Sequence, residues 1–168
     1  ALAHVYEQLA IQYVRQEYLR RALEEYQLAI KADPASDFLR MELVNLYART
    51  NRLGDAVAEA QKVLDRDPLN VELRRLLGRI YRSYAQDSKG DLDNGLLAKA
   101  IEQFEKVIEL EPSDTESLLQ IAALYRAAQQ PQKAEVALQK ALELEPDSAE
   151  ALSSLAQLYI DSGNSGAA

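Results

Sequence analysis

Four of the five prolines follow an acidic residue, and this punctuation constrains the fold more than any other feature of the chain. Asp33-Pro34, Asp67-Pro68, Glu111-Pro112 and Glu145-Pro146 place their prolines 34, 44 and 34 residues apart. Proline lacks the amide hydrogen a helix needs and pushes its predecessor out of the α region, so each pair closes a helical segment. Counting back from each proline returns the same side-chain types. Ala29, Val63, Val107 and Ala141 stand five residues before it, and Ala22, Ala56, Ala100 and Ala134 twelve before. Tyr13, Tyr47 and Tyr125 precede those alanines by nine residues, whereas Tyr81 precedes Ala100 by nineteen, which confines a ten-residue insertion between Tyr81 and Ala100.

Apolar residues within each unit have helical spacing, as Leu19, Ala22, Leu23, Tyr26, Ala29 and Ile30 show for a second helix. Upstream, Leu9-Ala10, Leu43-Val44, Leu77-Gly78, Ile121-Ala122 and Leu155-Ala156 recur as large-then-small pairs just ahead of a tyrosine, the last being Tyr159. Polar breaks such as Asn51-Arg52-Leu53-Gly54 and Gln129-Gln130-Pro131 separate two helices in a unit, and Ser113 with Glu116 reads as a capping box. A single helix cannot bury such a face, so stacked helix pairs are expected. The expected organisation is one all-α array with units at 3–36, 37–70, 71–114 and 115–148 and a half unit at 149–168. The half unit lacks its second helix, so the expectation is a fragment of a longer array, or an open end that packs on another copy.

This pattern resembles the tetratricopeptide repeat, a 34-residue signature of W-x2-L-G-x2-Y, A-x3-F and P. Tyr6, Leu9, Ala10, Tyr13, Ala22, Tyr26, Ala29 and Pro34 match it, as do Leu77, Gly78, Tyr81, Ala100, Phe104 and Pro112. Leu43, Tyr47, Ala56, Ala60 and Pro68 carry the match in the second unit, and Leu118, Ile121, Ala122, Tyr125, Ala134, Leu138 and Pro146 in the fourth. The departures are the absence of tryptophan, Arg40 and Arg74 at the first aromatic position, and the insertion. The resemblance implies a right-handed superhelical α-solenoid of antiparallel helix hairpins. Its concave groove, lined by the first helix of each pair, takes up peptides or partner surfaces.

Composition excludes several functions. The net charge of −8 opposes binding along phosphate backbones, so no nucleic acid is expected. No cysteine is present, and the one histidine, His4, has no nucleophile or metal-ligand pattern around it, so neither a catalytic triad nor a metal site is expected. No apolar run reaches the length of a membrane helix, and cytoplasm and periplasm both stay open. Asp87, Asp91 and Asp93 in the insertion do not follow a calcium-loop pattern, because Lys89 interrupts them and no closing glutamate follows. A surface loop between lengthened helices is expected there. The repeated tyrosines read as packing residues rather than base-stacking platforms, and no enzyme chemistry or cofactor is expected.

In the frame the resemblance supplies, the groove positions are Phe38, Met41, Asn45 and Arg49, then Glu72, Arg75, Arg79 and Arg82, then Glu116, Leu119, Ala123 and Arg126. Arg75, Arg79 and Arg82 fall at i, i+4 and i+7 on one helical face. Guanidinium groups grip carboxylates bidentately, so an acidic or C-terminal carboxylate ligand is one reading, with Phe38 and Met41 supplying apolar contact. The other is that these arginines pair with carboxylates of adjacent helices. The chaperone-tail clamp known in some relatives is not expected, since Met41 and Leu76 stand where it needs lysine and asparagine. The expected function is a non-catalytic protein-interaction scaffold. The alternatives are a recruiting arm of a larger enzyme and a self-assembly module.

Overall fold

The computed structural model describes the backbone of residues 2–86, 91–161 and 163, and the side chains of those from residue 17 onward. The side chains of His4, Tyr6, Leu9, Ala10 and Tyr13, residues 87–90 of the insertion and most of the segment after Asp161 lie outside the described residues. Contacts divide the chain into two compact units, Ala1–Pro68 and Leu69–Ala168. The first holds α1 (Leu2–Ala32), α2 (Asp37–Arg49) and α3 (Leu53–Leu64). The second holds α4 (Val71–Ala85), α5 (Asn94–Leu110), α6 (Thr115–Ala127), α7 (Pro131–Leu144) and α8 (Ala149–Asp161).

Each acid-proline pair opens a turn that ends in a helix cap two residues later. The amides of Ser36, Asp114 and Ser148 donate to the carbonyls of Asp33, Glu111 and Glu145 at 3.3, 3.1 and 3.1 Å, which places proline at the second position of a β-turn. The capping side chains are then Ser36, Asn70, Asp114 and Ser148, which accept from the amides of Leu39, Leu73, Ser117 and Ala151. The cap of α6 is therefore Asp114 and not Ser113. The turn consumes Ser113, and the next side chain is the first that reaches the free amides of the helix.

The turns inside α2–α3 and α6–α7 are alike. Asn51 (φ 59°) and Gln129 (φ 55°) adopt the left-handed conformation. The following amides, of Arg52 and Gln130, reach back to the carbonyls of Tyr47 and Tyr125 at 2.9 and 2.8 Å, and those of Asn51 and Gln129 to Ala48 and Arg126. That pairing is a Schellman motif, which satisfies carbonyls the helix end leaves open. Arg52 and Lys133 lie over the rings of Tyr47 and Tyr125 at 4.6 and 5.2 Å.

The first unit departs from the expected hairpin. α1 runs unbroken for 31 residues where the repeat has two helices. The stretch Val14-Arg15-Gln16-Glu17-Tyr18 offers no glycine, proline or asparagine at the turn. Glu17 instead accepts from Arg20 and Arg21 at 2.9 Å each, and Arg20 bonds Glu24 at 2.6 Å, pairs that hold the same helix together.

In the second unit the repeated small and large residues form the core. Ala100, Phe104 and Val107 of α5 and Ala134, Leu138 and Ala141 of α7 are buried. Gly78 admits the Phe104 ring so closely that a Cβ there would sit 2.6 Å from its Cε2 atom. Leu118, Ala141 and Ala151 join α6, α7 and α8, with Leu119 packed against them. The insertion lengthens α4 and α5, and its described ends are tied by a Gln86–Leu92 bridge and by the Asp93 amide on the Ala85 carbonyl at 2.7 Å.

Candidate functional site

The residues of the basic strip on α4 have different fates. Arg75 is taken up inside the protein. Its Nε donates to Asp114 at 2.8 Å, and its two Nη groups bond Glu72 and Glu111. Burial lowers the pKa of this guanidinium, but the bond it donates to Asp114 and the charges of the three carboxylates outweigh that and raise it. Asp114 answers in kind. Burial raises its carboxyl, yet the hydroxyl and amide of Ser117 together with Arg75 hold it below the usual aspartate range. Arg75 is therefore a brace between α4 and the α5–α6 link.

Arg79 and Arg82 are both exposed, and neither has a carboxylate partner among the described residues. Arg82 donates through Nη1 to the Oε1 of Gln120 on α6. The two guanidinium groups, Ser83, Gln86 and Gln120 surround a cleft of about 540 Å³. The cleft presents fixed positive charge beside amide and hydroxyl groups, a lining suited to a carboxylate. Gln120 escaped sequence reasoning because its register holds the buried Leu76 in α4 and a glutamate, Glu42, in α2. An amide at that register, shared with Gln8 of the first unit, was the available signal.

The other positions separate. Arg126 is exposed and lies 3.7 Å from Asp161 of α8. Leu119 is half-buried against the core shared by α6, α7 and α8, and neither Glu116 nor Ala123 lines the Arg79 and Arg82 cleft. In the first unit Phe38, Met41, Asn45 and Arg49 share a stripe of α2. Phe38 is 70% exposed, Met41 and Asn45 are half-buried and Arg49 is exposed.

Arg40 and Arg74, which replace the repeat's first aromatic, are explained by their partners. Arg40 pairs with Glu59, itself bonded to Lys62 at 2.7 Å, and Arg74 donates to Gln103 at 3.2 Å. Glu59 and Gln103 occupy equivalent positions, three residues past Ala56 and Ala100. A polar pair thus does the bridging that an aromatic ring would do by packing. In the tyrosine column Tyr47, Tyr81 and Tyr125 are buried and Tyr159 is half-buried, and the hydroxyls of Tyr47, Tyr125 and Tyr159 are hydrogen-bonded. Tyr125 donates to Glu105 at 2.7 Å and Tyr159 to Glu135 at 2.6 Å, while Gln27 donates to Tyr47 at 3.2 Å. Burial first, then the Glu105 carboxylate, pushes the Tyr125 phenol well above its ordinary value.

Among the described residues no cluster of three metal-ligating side chains forms, and no helix is long and apolar enough to cross a membrane. The paired helices, their shared turns and the recurrent packing alanines define a helical-hairpin repeat protein. The tetratricopeptide repeat family matches residues 41–83, 92–114 and 125–168, and the chain belongs to that family. Its all-α solenoid fold is shared with MamA from Desulfovibrio magneticus, at 18% identity and a TM-score of 0.72 over 98% of this chain and 88% of that one. A thermophilic tetratricopeptide repeat protein of Thermus thermophilus is similar at 24% identity and a TM-score of 0.60, covering 94% and 81% of the two chains. One from Parabacteroides merdae is similar at 21% and 0.71, covering 92% and 59%. No curated protein matches the chain in sequence.

Proposed function

We propose that the chain is a non-catalytic protein-interaction scaffold whose α4–α6 cleft receives a carboxylate-bearing segment of a partner protein. Membership in the repeat family points to the scaffold role. The observation that carries the ligand chemistry is the contrast within one helix. Arg75 is saturated by three carboxylates, whereas Arg79 and Arg82, one and two turns further on, have none among the described residues. A charge-assisted bond from a guanidinium to a carboxylate contributes about 1.5–3 kcal/mol, enough for a tenfold or greater effect on affinity.

The test is fluorescence anisotropy with a dye-labelled acidic peptide that ends in a free carboxylate. Binding is expected to weaken at least tenfold in Arg79→Glu and in Arg82→Glu while helicity is unchanged, and to weaken with added salt. Affinities that match the unaltered protein in both variants would remove the carboxylate reading.

A further inference from the structure

Helix α6 shows a different side to a second depression, a groove of about 730 Å³ between α5 and α7. Its floor is Leu118, Ile121 and Tyr125 of α6, which lie at other angles around the helix than Gln120 of the arginine cleft.

The groove is apolar because the fourth unit differs from the two before it at three positions. Where α2 and α4 place Arg40 and Arg74, α6 places Leu118. The partners of those arginines, Glu59 and Gln103, give way to Ala137. One residue earlier, where α1 and α5 carry Glu24 and Glu102 and α3 carries Ala58, α7 carries Val136, which is 66% exposed. Meanwhile Glu135 takes the place of Leu23, Val57 and Ile101, so α7 turns a β-branched apolar residue outward and a carboxylate toward Tyr159. The polar bridge that fills this space in the two preceding units is gone, and apolar side chains line it instead.

The two walls differ in charge. Glu105, which accepts from Tyr125, and Glu109, paired with Lys106 at 2.7 Å, stand on α5, and Lys133, over the Tyr125 ring, and Lys140 stand on α7. From Lys133 to Lys140 the lining runs about 10 Å along α7, two helical turns. We infer that this groove docks an amphipathic helix of a partner protein. Apolar residues one turn apart sit on the half-buried Ile108 and the exposed Val136, over a floor that Leu118 and Ile121 close from below, basic residues face Glu105 and Glu109, and acidic residues face Lys133 and Lys140. A helix supplies anchors at i, i+4 and i+7 with oppositely charged flanks, which fits a trough bounded by two helices.

Three synthetic helical peptides with one leucine stripe test the docking by calorimetric titration: one flanked by lysines on one edge and glutamates on the other, one by lysines on both, one by glutamates on both. The mixed-flank peptide is expected to bind tightest. Val136→Glu, an exposed change to the residue type of Glu24 and Glu102, is expected to weaken it at least tenfold with an unchanged circular dichroism spectrum. Lys133→Glu with Lys140→Glu makes both walls acidic and is expected to shift preference to the all-lysine peptide. No saturable binding below about 1 mM, or binding indifferent to Val136→Glu, would overturn the inference. So would sedimentation showing a dimer of this chain that Val136→Glu dissolves, since the groove would then be filled by a second copy. Arg79→Glu leaves this binding unchanged, so the two sites fail or stand separately.

Discussion

α1 and the α6–α7 hairpin carry the same repeat pattern and part at one register, four residues past the tyrosine. Gln129 stands there in the left-handed conformation and the chain turns back; Glu17 stands there in a continuous helix, gripped by Arg20 and Arg21. The consequence is a difference in burial. α7 buries Ala134, Ala137, Leu138 and Ala141, whereas none of the described side chains of α1 is fully buried, although Ala22, Tyr26 and Ala29 occupy equivalent positions. An apolar stripe is sealed only when a turn brings its partner helix onto it. The charges follow the same division. In α1 they join residues three and four apart, while Arg75 in the second unit reaches residues 36 and 39 positions away.

The contrast is sharpest at the position four past the packing alanine. Phe104→Ala is expected to cost about 3–5 kcal/mol, because the cavity left beneath Gly78 is fully enclosed. The equivalent Tyr26→Ala is expected to cost about 1 kcal/mol, and urea unfolding of the two variants measures the gap. If they cost the same, α1 is sealed after all.

Next comes the long-range brace. Asp114→Ala removes a helix cap and the main partner of Arg75, at about 2 kcal/mol near neutral pH. The folded Asp114 carboxyl titrates below its unfolded value, so its contribution is complete above the ordinary aspartate range and is lost as pH falls through the lowered value. The difference between Asp114→Ala and the parent protein is expected to shrink in that acid window.

Smaller, but opposite in sign, are two glycine substitutions at the turn register. Gln129→Gly relieves a left-handed L residue and is expected to stabilise by about 1 kcal/mol. Glu17→Gly loosens α1, and hydrogen exchange is expected to quicken for the amides of residues 18–24. The smallest effect is that of salt, which screens the exposed Glu17 pairs and is expected to lower α1 helicity slightly, with Arg75 unaffected.

The hairpins from Asp37 onward were legible because period, proline and alanine agree at every level. The unbroken α1 was legible only as an omission, the missing turn residue near Glu17. Arg79 and Arg82 could be placed on one face by spacing alone. That Arg75 is consumed could not, because two of its partners belong to the punctuation itself: Glu111 precedes the proline and Asp114 caps the helix after it. Spacing orders the residues of one helix; it does not say which loop carboxylate returns to them. The α5–α7 groove needed the same knowledge, since Val136 reads as an ordinary surface valine until Leu118 and Ala137 are seen beside it.

The tyrosine hydroxyls have one more consequence. The chain contains nine tyrosines and no tryptophan, so its near-ultraviolet emission comes from phenols alone. Tyr125 and Tyr159 each donate to a carboxylate on a preceding helix, Glu105 of α5 and Glu135 of α7. A phenol hydrogen-bonded to a carboxylate emits weakly, and it brightens when the two helices part. The second unit thus carries its own light meters, one at the α5–α6 contact and one at the α7–α8 contact, and partner binding that pries either open can be followed without a label.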